Sequence, residues 1–356
     1  MTQEADQLDG DQTVEEEDEE LNDEDVVYQI NTFGADYTVD GLVKRFDRGD
    51  IFRPEFQRNF VWTLPQASKF IESILLGLPI PSVFLYREES TQKHLIVDGL
   101  QRLTTLHAFY KGRFPHNDKL FRLKDVKSRF EGKAIDDLEE EDHRRFEDAV
   151  IHAMVIQQMA PDDDNSSVFH IFDRLNSNGT PLQPQEMRAA IYHGPFQALL
   201  GKLNQEPVWR EVFGPIHKRA KDQELILRFL ALANSRGTYE KPIKTFLNSF
   251  MASNRYLDNR LEDVFSRQFV ETIHRAHAAL GKRAFRPQRA MNVAVYDAFM
   301  IAILECPFAS SNAIKNSYEK LISDDAFMRM SSDATSDEAN IHGRINMTIE
   351  EINGTS

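Results

Sequence analysis

The sequence predicts an α+β protein, with a small mixed sheet and its helices over residues 26–160 and a mainly helical domain over 161–330. Three observations predict it. Short β-branched runs alternate with amphipathic stretches through the first hundred residues. Val150-Ile151-His152-Ala153-Met154-Val155-Ile156 alternates with the period of two that marks a strand, and it returns the chain to the sheet. Beyond it, apolar residues recur at helical spacing almost to the end.

The chain opens on charge. Residues 1–25 hold 13 of the 57 acids and neither Lys nor Arg. A run such as Glu15-Glu16-Glu17-Asp18-Glu19-Glu20 repels itself, so a disordered acidic tail is expected. Setting it aside leaves 44 acids against 42 bases, so the formal charge of −15 belongs almost wholly to the tail. The tail is a solubilising segment, or it mimics nucleic acid and competes in cis for a basic groove.

Each element then has its own signal. Val26-Val27-Tyr28-Gln29-Ile30 reads as a strand. Tyr37 to Asp47 is amphipathic, with Thr38 as the N-cap and Gly49-Asp50 as the stop. Thr63-Leu64-Pro65-Gln66 opens a helix through a capping box, its apolar face is Phe70, Ile71, Ile74, Leu75 and Leu78, and Gly77 and Pro79 end it. Ser82–Tyr86 and His94–Val97 are strands either side of a turn at 88–92. Asp98-Gly99 turns the chain into a helix marked by Leu103, Leu106 and Phe109. From about Phe114 the signals read as helical, including the basic stretch 121–133 and the charged stretch 137–146. Val168, Ile171, Phe172 and Leu175 mark a helix broken by residues 176–181. Helices follow over 184–192 and near 196–204, 222–234, 242–253, 258–280, 288–305 and 312–324. Residues 331–356 read as a polar C-terminal tail with a short amphipathic piece around Ile345 and Ile349.

Composition removes several classes. At 356 residues and 41% hydrophobic content the chain can build a sizeable core. No apolar run reaches 18 residues, so no membrane span is expected, and the acidic start is unlike a signal peptide. A single cysteine, Cys306, sits in an apolar run and reads as a buried thiol, and a reducing cytoplasm is the expected setting. Gly132-Lys133, Gly201-Lys202 and Gly281-Lys282 lack the Ser or Thr of a phosphate-binding loop, and no Gly-x-Ser-x-Gly elbow occurs. Asp142-His143 lacks the second ligand cluster of an HNH nuclease, and Glu271, His274 and His277 lack a fourth zinc ligand. No metal-ligand set is assigned.

Two segments carry chemistry. At the strand-to-helix turn Asp98-Gly99-Leu100-Gln101-Arg102, a helix N-terminus offers free N–H groups to an anion. Arg102 adds a planar donor fork for phosphate, and Asp98 is placed to hold a metal ion or orient water. The plain alternative is a surface turn with a solvated arginine. In Pro54-Glu55-Phe56-Gln57-Arg58-Asn59-Phe60-Val61-Trp62, Gln57 and Arg58 can read anions or bases while the aromatics stack or form core. The basic groups at 217–221 and 282–289 can contact phosphate or simply be solvated.

These motifs occur in an ordered set: P-x-x-Q-R-x-x-x-W, then Ile71 to Pro81, then Val97-Asp98-Gly99-Leu100-Gln101-Arg102-Leu103-Thr104-Thr105-Leu106. Phe172-x-x-Leu175-Asn176-x-x-Gly179-x-x-Leu182-x-x-x-Glu186-Met187-Arg188 and Lys221-Asp222-Gln223-Glu224 continue it. Together they resemble the N-terminal domain of the GmrSD-type restriction endonucleases, related to ParB and sulfiredoxin folds. That family's signature is Asp-Gly-Gln-Gln-Arg, and here Leu100 replaces the first Gln. The resemblance implies a ParB/sulfiredoxin-like sheet domain that hydrolyses a nucleoside triphosphate (GTP, UTP or ATP). It implies a role in modification-dependent restriction and phage defence, where some members sense glucosylated or phosphorothioate DNA. By motif match Asp98, Gln101 and Arg102 are the catalytic candidates, and Gln57, Arg58 and Gly99 the nucleotide- or DNA-binding ones. Mg2+ is the implied cofactor, DNA the implied partner, and the nuclease is expected as a separate subunit. A non-enzymatic DNA-binding adaptor that recruits the nuclease is the rival, since one amide of the signature is gone.

Overall fold

The computed structural model describes residues 29–53, 60–88, 91–160, 171 and 183–355. The expected acidic tail, the segment with Gln57 and Arg58, and the expected helix at 168–175 with its break, apart from Ile171, lie outside the described residues. The chain divides into two compact units. One spans residues 27–182 and takes in Ala189–Ile191, and the other holds Gln183–Arg188 and Tyr192–Ser356.

The first unit is built from β1 (Gln29–Thr38), α1 (Val39–Asp47), β2 (Ile51–Phe52), α2 (Leu64–Leu75), β3 (Val83–Arg87), β4 (His94–Asp98), α3 (Leu100–Tyr110), α4 (Glu140–Glu147) and β5 (Val150–Ala160). The strands form a mixed sheet in the order β1-β5-β3-β4-β2. β1 and β5 pair antiparallel, β5 and β3 parallel, β3 and β4 antiparallel, and β4 and β2 parallel. β5 thus returns to the sheet between β1 and β3.

The caps act as their residue types dictate. Thr38 accepts from the Gly41 amide at 3.1 Å, and Thr63 and Gln66 form the reciprocal capping box that starts α2. Ile71, Ile74 and Leu75 of α2 join Leu103, Leu106 and Phe109 of α3 and Leu85 and Ile96 of the sheet in one core. Phe109 meets Phe121 and Phe146 edge-on with ring centroids 5.2 Å apart in both pairs. Such contacts add about 0.5–1.5 kcal/mol each beyond area burial.

Residues 114–133 are not helical. They form turns with one isolated bridge, Arg113 to Leu120. Gly112 and Gly132 adopt φ of 71° and 75°, and Asp118 and Asp125 are also left-handed. Phe114, Phe121, Leu123 and Phe130 insert separately into the core rather than lining a helical stripe.

The second unit contains α5 (Pro184–Ile191, whose last residues group with the first unit), α6 (Pro195–Leu203), α7 (Pro207–Phe213), α8 (Lys221–Ser235) and α9 (Ile243–Ser253). It continues with α10 (Asn259–Leu280), α11 (Val293–Glu305), α12 (Ser311–Leu321), α13 (Asp325–Met330) and α14 (Glu338–Thr355). α11 is apolar on every side and buried from Val293 to Ile303, so it is the central helix. Asp297 on α11 accepts from Arg228 of α8 at 2.7 Å and Arg344 of α14 at 3.3 Å, all three buried.

α14 corrects the expectation of a polar tail from 331. Ile341, Ile345 and Ile352 are fully buried, and so are Arg344 and Thr348 on the same face. Polar residues occupy inward positions of this helix, which is why its pattern reads as a tail.

Candidate functional site

The strand-to-helix junction is built from backbone geometry first. β4 ends at Asp98, Gly99 turns the chain at φ 97° and ψ 12°, and α3 begins at Leu100. A Cβ on residue 99 would lie 2.6 Å from Val83 Cγ1 and 3.3 Å from Arg102 Nη2. Glycine is required both for the left-handed turn and for the close approach of β3. No side chain caps α3, so its first-turn amides have no side-chain acceptor.

Arg102 closes back onto the same turn. Its Nη2 donates to Asp98 Oδ2 at 2.6 Å, and its Nη1 donates to the carbonyls of Pro81 at 2.7 Å and Ser82 at 2.9 Å. Its side chain is 14% exposed and that of Asp98 is 40% exposed. The donor fork expected to face a phosphate is therefore spent on holding β4, α3 and the approach to β3 together. Asp98 is the more open partner, with one oxygen engaged by Arg102.

Gln101 points elsewhere. Its Oε1 accepts from the amides of Val61 at 2.9 Å and Trp62 at 3.3 Å. His116 Nε2 lies 3.1 Å from the Trp62 carbonyl, Phe60 packs against Phe114 and His116, and Trp62 packs edge-on against Phe70. Phe60 and Trp62 are thus core and boundary residues. Gln57 and Arg58 lie outside the described residues, so their approach to Asp98 is not among the observed contacts. Leu100 is 8% exposed and belongs to the core, so the position that departs from the signature turns inward here.

The structure therefore joins Asp98, Gly99 and Arg102 at one turn and sends Gln101 to a second contact one residue away. The backbone carbonyls of Pro81 and Ser82 and the ring of His116 were not singled out from sequence. Carbonyls carry no residue signature, though Pro79 and Pro81 mark an extended approach. Further along α3, His107 and Lys111 close on Asp47 of α1 at 2.9 and 2.7 Å. The hydrogen bond from Lys111, then that from His107, holds the Asp47 carboxyl below its ordinary range. Burial and the Asp40 carboxylate push the Tyr110 hydroxyl up to about 12. These groups fasten α1 to α3.

The remaining motif residues meet inside the helical unit. Arg188 reaches Glu224 at 3.1 Å and Asn248 at 2.8 Å, Lys221 reaches Glu224 at 2.9 Å, and Arg210 and Asn204 both reach Asp222 at 2.9 Å. Burial opposes the charge on Glu224, but Lys221 and Arg188 overcome it and hold the carboxyl at about 2. The Glu186-Met187-Arg188 and Lys221–Glu224 motifs are thus two halves of one buried network. Arg286 of the 282–289 segment donates to the carbonyls of Val212 and Phe213, and Lys282 pairs with Glu211. His274 and His277 pair with Glu206 and Glu211. Among the described residues no group of three or more His, Cys, Asp or Glu is placed to hold a metal ion. Cys306 is buried, which pushes its thiol up. No helix among the described residues is long and apolar enough to cross a membrane.

Comparison with known proteins supports the motif order as far as residue 193 and does not reach Lys221–Glu224. A stretch of 98 residues is 31% identical to an uncharacterised protein of Methanocaldococcus jannaschii, covering 21% of this chain and 17% of that protein. This chain therefore accounts for only a small share of that relative's length. Residues 39–193 match the profile of the GmrSD restriction endonuclease N-terminal domain. That span takes in the junction, the sheet from β2 to β5 and the Glu186-Met187-Arg188 motif. Residues 39–193 are thus similar to the GmrSD restriction endonuclease N-terminal domain family.

Proposed function

We propose that the chain is a component of a DNA restriction or phage-defence system and acts there as a nucleotide-binding, nucleotide-hydrolysing sensor or regulatory subunit. DNA is its partner, and the nuclease is supplied by a separate subunit. The observation that carries this is the junction inside the family domain. An uncapped helix N-terminus follows a glycine whose left-handed backbone and contact with Val83 disfavour any side chain, beside a carboxylate that stays open to solvent.

The residues divide the work as their contacts suggest. The amides after Gly99 receive phosphate oxygens. Asp98 positions the attacking water or shares a cation with the phosphates. A single carboxylate suits Mg2+, which keeps waters and takes its remaining ligands from phosphate, and the ion would neutralise phosphate charge there. Arg102 holds Asp98 in place, so it is a positioning residue. Gln101 tethers Val61 and Trp62, three and four residues after Arg58, and so governs the segment that would bring Gln57 and Arg58 to the nucleotide or DNA.

Magnesium-dependent phosphate release from GTP, UTP and ATP tests this reading. Release that Asp98→Asn abolishes supports it. Release that Asp98→Asn leaves unchanged removes the assigned role. The adaptor reading has its own observation, since Leu100 is buried and Arg102 is fully engaged. No release with any nucleotide, together with salt-sensitive DNA binding that needs none, would establish the adaptor instead.

A further inference from the structure

A cleft of about 280 Å³ runs along one face of α9 in the helical unit, outside the family match. Its floor is aromatic: Phe246 and Phe250 line it and are otherwise packed into the core. Its two ends are polar. Thr238 and Glu240 lie in the link before α9, and Asn254 is the C-cap at the far end. From Thr245 to Asn254 the helix advances roughly 13 Å at 1.5 Å per residue.

The sign of the field in this cleft is set by what lines it. No Lys or Arg is among the lining residues. Of the cations nearest in sequence, Arg236 pairs with Glu305, Lys241 with Asp337 and Arg255 donates to the His193 carbonyl, while Lys244 falls by helical spacing on the side of α9 away from Phe246, Ser249, Phe250 and Ser253. Two helix C-termini reach the cleft, that of α8 at Ser235 and that of α9 at Ser253, and each carries partial negative charge. Asn254 uses its amide nitrogen on the Phe250 carbonyl, so it offers its oxygen. Glu240 adds a full negative charge. A phosphate would gain only neutral hydroxyl donors against the repulsion of Glu240 and the helix C-termini, whereas an ammonium gains at both ends and can lie over a phenyl ring between them.

The geometry points to a binding site for a linear polyamine, a cation with an ammonium near each end and an aliphatic spine over Phe246 and Phe250. One head is taken by Glu240 and the hydroxyls beside it, and the other by Asn254 and the C-terminus of α9. This inference stands apart from the nucleotide reading, because it uses no residue of the junction.

Titration calorimetry of the full chain with spermidine tests it, with n-butylamine as a single-headed control. The titration is run at about 0.15 M ionic strength, where loose attraction to the acidic first 25 residues is screened. Saturable one-to-one binding is expected. Glu240→Gln should weaken it by about tenfold, the loss of one charge-assisted contact. Ser249→Trp, at an exposed position on the cleft wall, should abolish it by filling the space. Butylamine should bind more weakly than spermidine. The absence of saturable binding overturns the site. So does binding that both variants retain, which would place the amine on the acidic surface. Equal affinity for the two amines overturns the two-headed ligand. Unchanged thermal melts show that both variants fold.

Discussion

Gly99 and Arg102 show how one residue can serve the fold and the site together. Alanine at 99 must hold a left-handed backbone and displace Val83, a strain of roughly 1–3 kcal/mol from the backbone alone. Gly99→Ala should therefore lower the urea midpoint as well as any nucleotide affinity. Arg102→Ala removes the contacts to Asp98, Pro81 and Ser82 and should cost about 1.5–3 kcal/mol. A variant as stable as the wild type would show that this fork does not hold the junction. At this scale the motif was legible and its partners were not. Asp98 and Arg102 are four residues apart at a helix start, so their pairing follows from local geometry. Pro81 and Ser82 lie twenty or more residues away in sequence, and only the folded chain brings their carbonyls to Arg102.

Among the elements, the helices with side-chain caps were the most legible. Thr38, and Thr63 with Gln66, start α1 and α2 through bonds that need only neighbouring residues. Thr63→Ala should cost about 1 kcal/mol, visible as a lower thermal midpoint. The stretch from Phe60 to Trp62 is different, because its order depends on Gln101. Gln101→Ala should speed amide exchange at Val61 and Trp62 while leaving the α3 core amides protected. Uniform loss of protection would mean that Gln101 supports the whole unit instead. The false helical reading of 114–133 and the false tail at 331–356 have related causes. In the first, apolar residues enter the core from successive turns, and in the second, polar residues point inward.

At the scale of the whole molecule, the helical unit is organised around buried charge. Asp297 joins α8, α11 and α14, so Asp297→Ala strands two buried guanidinium groups and should destabilise by about 3–5 kcal/mol. Glu224 gives this unit an acid limb. Its carboxyl is held at about 2 against an ordinary 4.5. A depressed carboxyl contributes stability above its unfolded value and loses it as the pH falls toward the folded one. The window therefore runs from about 4.5 down to about 2, with a contribution on the order of 3 kcal/mol. Circular dichroism during acid titration should show Glu224→Gln with a flatter limb than the wild type in that window. A limb of unchanged steepness would assign the acid sensitivity to other carboxylates.

Alternating patterns, capping residues and the glycine turn determined the α+β class, most of the helices and the place where strand β4 meets α3. They act over a few residues, and local sterics and backbone hydrogen bonding suffice to express them. Tertiary structure decided what the charged residues do. Whether Arg102 faces a ligand or the carbonyls behind it, whether Leu100 turns inward, and whether Arg188 meets Glu224 all depend on which distant groups arrive beside them. A guanidinium in a sequence is only a set of donors, and burial beside a fixed acceptor makes it a strut.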